Sequence, residues 1–182
     1  CRPMASTPSP RRLWTWRSLY IGLGLGVIFF RILPLETGTP GLPGPDIILG
    51  VTLAWVVRQP AAVPLWAIVF LFLLSDFLLQ RPLGLWTLLA LLGSEALRNR
   101  RAGLAEAPFL VEMAMVSGIV LMMIVAERVI LWVLMTDQPS LGLVLMEGLA
   151  TIVIYPLVVL VSKFLLRMDK LPLVDLEAGL RG

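Results

Sequence analysis

The sequence predicts an all-α integral membrane protein with about six transmembrane helices. Of the 182 residues, 58% are hydrophobic and only 15% are charged, whereas a soluble domain is about half apolar and about a quarter charged. The apolar residues form continuous runs, such as Phe109 to Met135, unlike the short alternating segments of a membrane β-barrel. Backbone polar groups in lipid must be satisfied within their own segment, so such runs become helices.

Six apolar segments follow one another along the chain. The second and fourth are short for a span, which needs roughly 20 residues; each is a tilted short span, a re-entrant piece or a helix shielded by its neighbours. Because the connecting loops are short, successive helices are expected to be antiparallel neighbours. The predicted segments are Leu19 to Leu35, Asp46 to Val57, Ala61 to Leu79, Leu83 to Leu97, Phe109 to Leu134 and Leu141 to Leu166.

The whole chain, residues 1–182, is predicted to form a single integral membrane domain. Residues 1–17 are a polar, basic start and residues 167–182 a short polar tail, both expected in the cytoplasm. Met4 is the expected natural start, which makes Cys1 to Pro3 an added or upstream stretch. The alternative is a lipidated Cys1, as in a processed lipoprotein.

The Lys and Arg residues predict how the segments are oriented. With the N-terminus in the cytoplasm and six spans, 12 of the 15 basic residues fall on the cytoplasmic side, as the positive-inside rule requires. Only Arg31 and Arg81 fall on the outer side, and Arg128 lies within the fifth segment. Deleting one span would place the basic cluster from Arg98 to Arg101 outside. We therefore expect both termini in the cytoplasm, which conflicts with a lipidated Cys1.

The composition removes the usual means of catalysis and metal binding. The chain has no His, and its only Cys is Cys1, so the commonest general base and metal ligand is missing and a cysteine cluster is excluded. The sequence also lacks the GxxxxGK[ST] phosphate loop and the GxSxG nucleophile turn. We expect no enzyme activity, and hence no catalytic residue, cofactor or metal ion.

Charged side chains inside apolar segments are candidates for function because lipid makes them costly. Arg128 and Glu147 lie at nearly the same depth on two antiparallel neighbours, so we predict that they pair, since either charge alone would be uncompensated. Glu127 is a competing partner for Arg128, but adjacent residues on a helix point about 100° apart. The pair is either a packing staple, which we favour, or a transport or signalling site. Glu95 and Glu112 lie near the inner ends of their segments and are expected to reach the membrane surface.

Another candidate, Asp76, lies near the outer end of the third segment. Pro82 and Gly84, a few residues later, favour a tight outer turn. We expect the Asp76 carboxylate to face either Arg81 or Arg31 across the outer surface.

The stretch from Pro43 to Arg101 carries several short motifs in a fixed order. Pro45-Asp46 opens the second segment, Trp55 and Arg58 close it, and Ser75-Asp76-Phe77-Leu78 runs into Arg81-Pro82-Leu83-Gly84. In order and spacing, these residues resemble the MreD family, the membrane subunit of the bacterial rod-shape system. The chain length, the six-span pattern and the basic patch after the fourth segment also match that family.

The resemblance implies a non-enzymatic component of the bacterial elongasome in the cell inner membrane. MreD-like proteins associate with MreC, a bitopic periplasmic protein. They act alongside MreB filaments, the RodA glycosyltransferase and a class B penicillin-binding transpeptidase in lateral peptidoglycan synthesis and rod cell shape. Their fold resembles the six-helix substrate-binding subunit of energy-coupling-factor vitamin transporters. The expected partners are therefore these proteins and membrane lipids, and not nucleic acid.

We expect the Pro-rich loop from Thr37 to Pro45, together with Asp46, Asp76 and Arg81, to meet the periplasmic partner. The alternative function is a substrate-capture subunit of a small-molecule (vitamin) transporter, which needs an outward pocket with aromatic and polar groups. The outer halves of the segments are mostly Leu, Val, Ile and Phe, which argues against that pocket. The candidate partner-facing or buried polar residues are Asp46, Arg58, Asp76, Arg81, Pro82, Gly84, Arg128 and Glu147.

Overall fold

The computed structural model describes residues 10–33, 44–105, 107–136 and 140–166. The Met4 start, the Cys1 alternative, the tail 167–182 and residues 37–43 of the Pro-rich loop lie outside these ranges. Within them every regular element is helical, as predicted. The elements are α1 (Pro10–Ile32), α2 (Ile47–Arg58), a 3₁₀ turn (Pro60–Ala62), α3 (Leu65–Leu78), α4 (Leu85–Asn99), α5 (Arg101–Ala105), α6 (Phe109–Val133) and α7 (Leu141–Leu166).

Among the described residues, three stretches of helix are long and apolar enough to cross a membrane, and they lie in α1, α6 and α7. They are Leu13–Ile32, Phe109–Val133 and Leu141–Phe164. The helices α2 and α3 are also apolar but shorter; at 1.5 Å per residue, α2 is only about 18 Å long. These lengths and compositions are consistent with the predicted helical membrane protein.

The short helix α2 lies in the core of the bundle. Every residue from Ile48 to Arg58 is buried, and α2 packs against α7 and α4. The side chain of Asp46 caps the N-terminus of α2 by accepting a hydrogen bond from the Leu49 backbone N–H at 3.1 Å. The helix ends at Arg58, because the next residue, Gln59, precedes Pro60, and the residue before a proline is disfavoured in helical conformation. Of the three alternatives for this segment, the structure has a helix shielded by its neighbours.

The helices α1 to α4 alternate in direction between the two ends of the bundle. Arg31 at the end of α1 donates to the carbonyl of Pro45 just before α2 at 2.8 Å. Arg17, near the start of α1, donates to the carbonyl of Ala61 just after α2 at 3.2 Å. Contacts at both ends of α3 and α4 show the same antiparallel relation. The predicted alternation of direction therefore holds for these helices. The prediction that successive helices are neighbours was wrong for α2 and α3, because α2 packs against α7 and α4 while α3 packs against α4 and α1.

Basic residues are sorted between the two ends, as the charge count predicted. We call one end the Asp46 end; it contains Arg31, Asp46, Arg81 and Glu147. We call the other the Arg58 end; it contains Arg17, Arg58, Arg98, Arg101 and Glu112. Among the described residues, Arg31 and Arg81, which were predicted to lie outside, thus occupy the opposite end of the bundle from the four arginines predicted to lie in the cytoplasm, Arg17, Arg58, Arg98 and Arg101.

Candidate functional site: a charged cavity at the Asp46 end

A partly enclosed cavity of about 530 Å³ lies at the Asp46 end. One face of α6 and one face of α7 form its main walls, because the lining residues recur every three or four positions along each helix. The volume falls within the range of about 300–1,000 Å³ that is usual for small-molecule sites. The wall residues are Val120, Ile124, Glu127 and Leu131 of α6 and Val144, Glu147, Gly148 and Thr151 of α7.

The cavity exists because α2 stops short of this end. The backbone N–H of Asp46 donates to Oγ1 of Thr151 at 2.8 Å, and Thr151 is the eleventh residue of α7. The helix α7 therefore extends about 15 Å beyond the start of α2. Among the helices that the structure describes, none fills the space between α6 and α7 beyond that level.

Arg81 joins three elements at the edge of the cavity. Its Nη2 lies 2.6 Å from Oε1 of Glu147, and its Nη1 lies 3.8 Å from Oδ2 of Asp46. The guanidinium also stands over the ring of Trp86, 5.4 Å from the ring centroid. Burial opposes the charge of Arg81, but the attraction of Glu147 and Asp46 outweighs it, so the pKa of Arg81 is raised above its ordinary value. A second cation, Arg31, lies 3.7 Å from Glu147.

Two residues in the left-handed backbone region shape the rim. Gln80 has a φ of 54° and Met135 a φ of 51°, and each follows the end of a helix. The backbone N–H of Arg81 then donates to the carbonyl of Asp76 at 3.0 Å, and Thr136 closes α6 in the same way. This is the Schellman pattern of helix termination, which usually uses Gly. A left-handed residue other than Gly costs about 1–2 kcal/mol, and here it places Arg81 and Thr136 at the cavity.

Asp76 lies beside the cavity and holds the start of α4. Its Oδ2 accepts hydrogen bonds from the backbone N–H of Gly84 at 3.2 Å and from the backbone N–H and hydroxyl of Thr87 at 3.1 and 2.8 Å. Gly84 has a φ of 82°, which Gly adopts without strain. We predicted that Asp76 faces Arg81 or Arg31; this was wrong, because the N–H groups and positive dipole of a helix N-terminus compete for the carboxylate.

The predicted pairing of Glu147 with Arg128 was also wrong. Glu147 has Arg81 and Arg31 as its ion-pair partners. Rotation about the helix axis decides which side chains meet, because successive residues of a helix point about 100° apart. Glu127 faces the cavity, whereas Arg128 lies in a second, more open groove on the flank of α6 and α7. That groove is lined by Ile124, Val125, Arg128, Val129, Trp132, Leu141 and Leu145.

A different polar cluster occupies the Arg58 end. Nη1 of Arg58 donates to Oε1 of Glu112 at 2.8 Å, and the Tyr155 hydroxyl donates to the same oxygen at 2.6 Å. Glu112 has no exposed surface, so the prediction that it reaches the membrane surface was wrong. The end of α2 supplies Arg58 at the same level, which compensates the buried charge. Glu95 is partly exposed, as predicted, and lies 3.5 Å from Arg98.

The structure brings half of the predicted candidate residues to the cavity. Asp46, Arg81, Pro82 and Glu147 line it, Asp76 and Gly84 lie beside it, and Arg58 and Arg128 lie elsewhere. Lining residues that the sequence did not single out include Gln80, Trp86, Thr136 and Thr151. Glu127 was a candidate as a charge inside an apolar segment, and its spacing relative to Val120, Ile124 and Leu131 places all four on one face of a helix.

The fold and the cavity define a helical protein of the membrane class with a charged pocket at one end. Comparison of the chain with known protein families, characterised proteins and solved structures finds no match. In the part of the chain that the structure describes, no group of three or more Asp, Glu, His or Cys residues is placed to hold a metal ion.

Proposed function

We propose that the chain is a non-enzymatic component of the bacterial elongasome of the MreD type. In this role it binds an MreC-like periplasmic protein, with RodA and a class B penicillin-binding transpeptidase as further neighbours, and supports lateral peptidoglycan synthesis and rod cell shape. It crosses the inner membrane six times with both termini in the cytoplasm. Its fold is of the kind found in the substrate-binding subunits of energy-coupling-factor transporters.

The observation that carries the proposal is that three motifs of the resemblance, those that contain Asp46, Asp76 and Arg81, meet at one end of the bundle, whereas the motif of Trp55 and Arg58 lies at the other end. Asp46 and Arg81 lie far apart in the sequence, yet their side chains are 3.8 Å apart. Trp86, two residues after the Arg81-Pro82-Leu83-Gly84 motif, donates a hydrogen bond from its indole N–H to Oδ2 of Asp46 at 3.0 Å. Asp76 and Gly84 are joined by a hydrogen bond in the same region. Residues that form one connected cluster are suited to present a single surface to a partner.

The charge distribution supports a periplasmic position for that surface. Arg17, Arg58, Arg98 and Arg101 lie at the Arg58 end, and basic residues favour the cytoplasmic side of a membrane. The short helices α2 and α4 each run from the Asp46 end towards the Arg58 end, although α2 begins about 15 Å below the start of α7. Their directions support six crossings. The Asp46 end then faces the periplasm, where an MreC-like protein has its mass.

Leu83 offers a contact point on this surface. It belongs to the Arg81-Pro82-Leu83-Gly84 motif and is 68% exposed, so its substitution leaves the core packing intact. Leu110, near the start of α6 at the Arg58 end, is 77% exposed and is the matched control. We expect Leu83→Ser to weaken partner binding and Leu110→Ser to leave it unchanged.

The test is co-purification of the tagged full-length chain from its own bacterium, followed by identification of the bound membrane proteins. The proposal expects an MreC-like protein with the unaltered chain and with Leu110→Ser, and at least about tenfold less of it with Leu83→Ser, a loss of about 1.4 kcal/mol. An unaltered chain that retains no MreC-like protein contradicts the proposal.

The cavity favours a second candidate, the substrate-capture subunit of a small-molecule transporter. The sequence argued against a pocket because the outer halves of the segments are mostly apolar. The lining of the cavity is indeed mostly apolar, but Trp86, Glu127, Glu147 and Thr151 also line it, which is the mixture that such sites use. Recovery of an ATPase-coupled transport module in the same co-purification, in place of an MreC-like protein, identifies this function.

A further inference from the structure

The cavity at the Asp46 end contains more negative than positive side chains. Three carboxylates line it, from Asp46, Glu127 and Glu147, whereas Arg81 is the cation among its lining residues. Arg31 adds a second positive charge next to Glu147. One carboxylate therefore remains in excess.

The excess carboxylate is that of Glu127. Glu147 is bound by Arg81 and Arg31, and Asp46 accepts hydrogen bonds from Leu49 and Trp86. Within residues 10–33, 44–105, 107–136 and 140–166, the Glu127 carboxylate accepts no hydrogen bond and has no cation within 4.0 Å, so Arg81 and Arg128 attract it only from a greater distance. A carboxylate in a partly desolvated site gains most from a cation that can approach it directly.

From this arrangement we infer that the cavity binds an ammonium or guanidinium group, which pairs with Glu127. Apolar residues Leu49, Val120, Ile124 and Val144 line the remaining space and suit a short hydrocarbon chain attached to the cation. The volume of about 530 Å³ accommodates a small amine or an inserted basic side chain. An anionic ligand is disfavoured, because Arg81 is already engaged by Glu147 and Asp46 and Glu127 would repel it.

This inference goes beyond the proposed function and does not depend on it. The proposed function concerns a protein partner recovered from the cell, whereas the cation is tested on the purified chain alone. A negative co-purification therefore does not contradict cation binding, and a negative cation test does not contradict the proposed function.

The electrostatic test uses a cysteine introduced at the cavity. Thr136 lines the cavity and is exposed, so Thr136→Cys in a full-length chain carrying Cys1→Ser gives one reactive thiol. The chain in lipid nanodiscs is treated with trimethylammonium-ethyl, sulfonatoethyl or uncharged methyl methanethiosulfonate, and the modification rates are compared. Glu127→Gln removes the charge with little change of shape. Glu95→Gln, at the opposite end, is the matched control.

The cationic reagent is expected to react faster than the anionic one, and Glu127→Gln should lower that ratio about fivefold, the effect of one nearby charge at a partly screened site. Glu95→Gln should leave the ratio unchanged. The rate with the uncharged reagent checks that Glu127→Gln has kept the cavity accessible. An unchanged ratio at an unchanged uncharged-reagent rate overturns the inference.

Protection experiments on the chain with Glu127 intact identify the source of the cation and do not depend on a folded Glu127 variant. Agmatine, and separately the peptide acetyl-Leu-Lys-Leu-amide, is added before the uncharged reagent, with acetyl-Leu-Leu-Leu-amide as the neutral control. Slowing by agmatine supports a free small cation as the ligand. Slowing by the lysine peptide alone supports a basic side chain of a polypeptide. Slowing by neither contradicts the inference.

Discussion

The two ends of the bundle each hold an Arg–Glu pair, but only one pair is sealed from its surroundings. At the Arg58 end, the side chains of Arg58 and Glu112 are 5% and 0% exposed. At the Asp46 end, those of Arg81 and Glu147 are 21% and 22% exposed and border a cavity. The same chemical pair therefore acts as a buried link at one end and as part of an accessible site at the other.

The position of α2 explains this difference. Its C-terminus reaches the Arg58 end and presents Arg58 to Glu112 on α6, while Tyr155 of α7 completes the cluster. Its N-terminus begins level with Thr151 and leaves the space beyond it unfilled. A single helix that is shorter than its neighbours thus produces one closed end and one open end.

The largest expected effect is at the closed end. Glu112→Gln removes the charge that compensates Arg58, and an uncompensated buried charge costs about 3–5 kcal/mol. We expect most of the protein to be lost as aggregate when it is extracted in detergent and examined by size-exclusion chromatography. The double variant Arg58→Met with Glu112→Leu removes both charges and should recover most of the monodisperse fraction. If Glu112→Gln alone stayed as monodisperse as the unaltered chain, the ion pair between Arg58 and Glu112 would not be the stabilising contact proposed for this end.

A smaller effect is expected at the open end. Glu147→Gln leaves Arg81 with Asp46, and the cavity gives its guanidinium access to water. Partly exposed pairs contribute about 1 kcal/mol or less, so the midpoint of thermal unfolding in detergent should fall only slightly. A loss as large as that of Glu112→Gln would show that the Asp46 end is as closed as the Arg58 end.

The smallest effect distinguishes two neighbouring glycines of α1. A Cβ atom at Gly24 would lie 2.5 Å from Cδ1 of Leu71 on α3, whereas one at Gly22 meets nothing within 4 Å. Replacing a mid-helix Gly by Ala gains about 0.5–1 kcal/mol, which the crowding of Leu71 offsets at Gly24. We expect a higher unfolding midpoint for Gly22→Ala than for Gly24→Ala. Equal midpoints would mean that α1 does not pack on α3 through this contact.

Much of the fold was predictable from the sequence because lipid imposes simple rules. Continuous apolar runs located the helices to within a few residues in most cases. The arginines named above for the two ends of the bundle lie at the ends that the charge count predicted. The start of α1 at Pro10 and the short helix α5 were not predicted, since both lie in polar sequence outside the apolar runs.

The polar contacts were less predictable because they depend on helix rotation and on competing donors. The positions of Arg128 and Glu147 along their segments suggested that they pair, but Arg81 reaches Glu147 from the loop after α3. The left-handed residue that shapes this loop is Gln80, and without a Gly at that position the sequence does not reveal the turn. Asp76 was drawn to the N–H groups of α4 instead of to a cation. The cavity itself follows from the length of α2 relative to α7, which no local pattern encodes.

The most direct test of the account is whether the two ends of the bundle face opposite sides of the membrane. Single cysteines at Thr136, by the cavity, and at Ala61, by the Arg58 end, are introduced into the chain carrying Cys1→Ser. Spheroplasts are treated with a membrane-impermeant maleimide. We expect Thr136→Cys to be labelled in intact spheroplasts and Ala61→Cys only after permeabilisation. Labelling of both from the same side, or in the reverse order, would show that the Asp46 end does not face the periplasm with the Arg58 end in the cytoplasm.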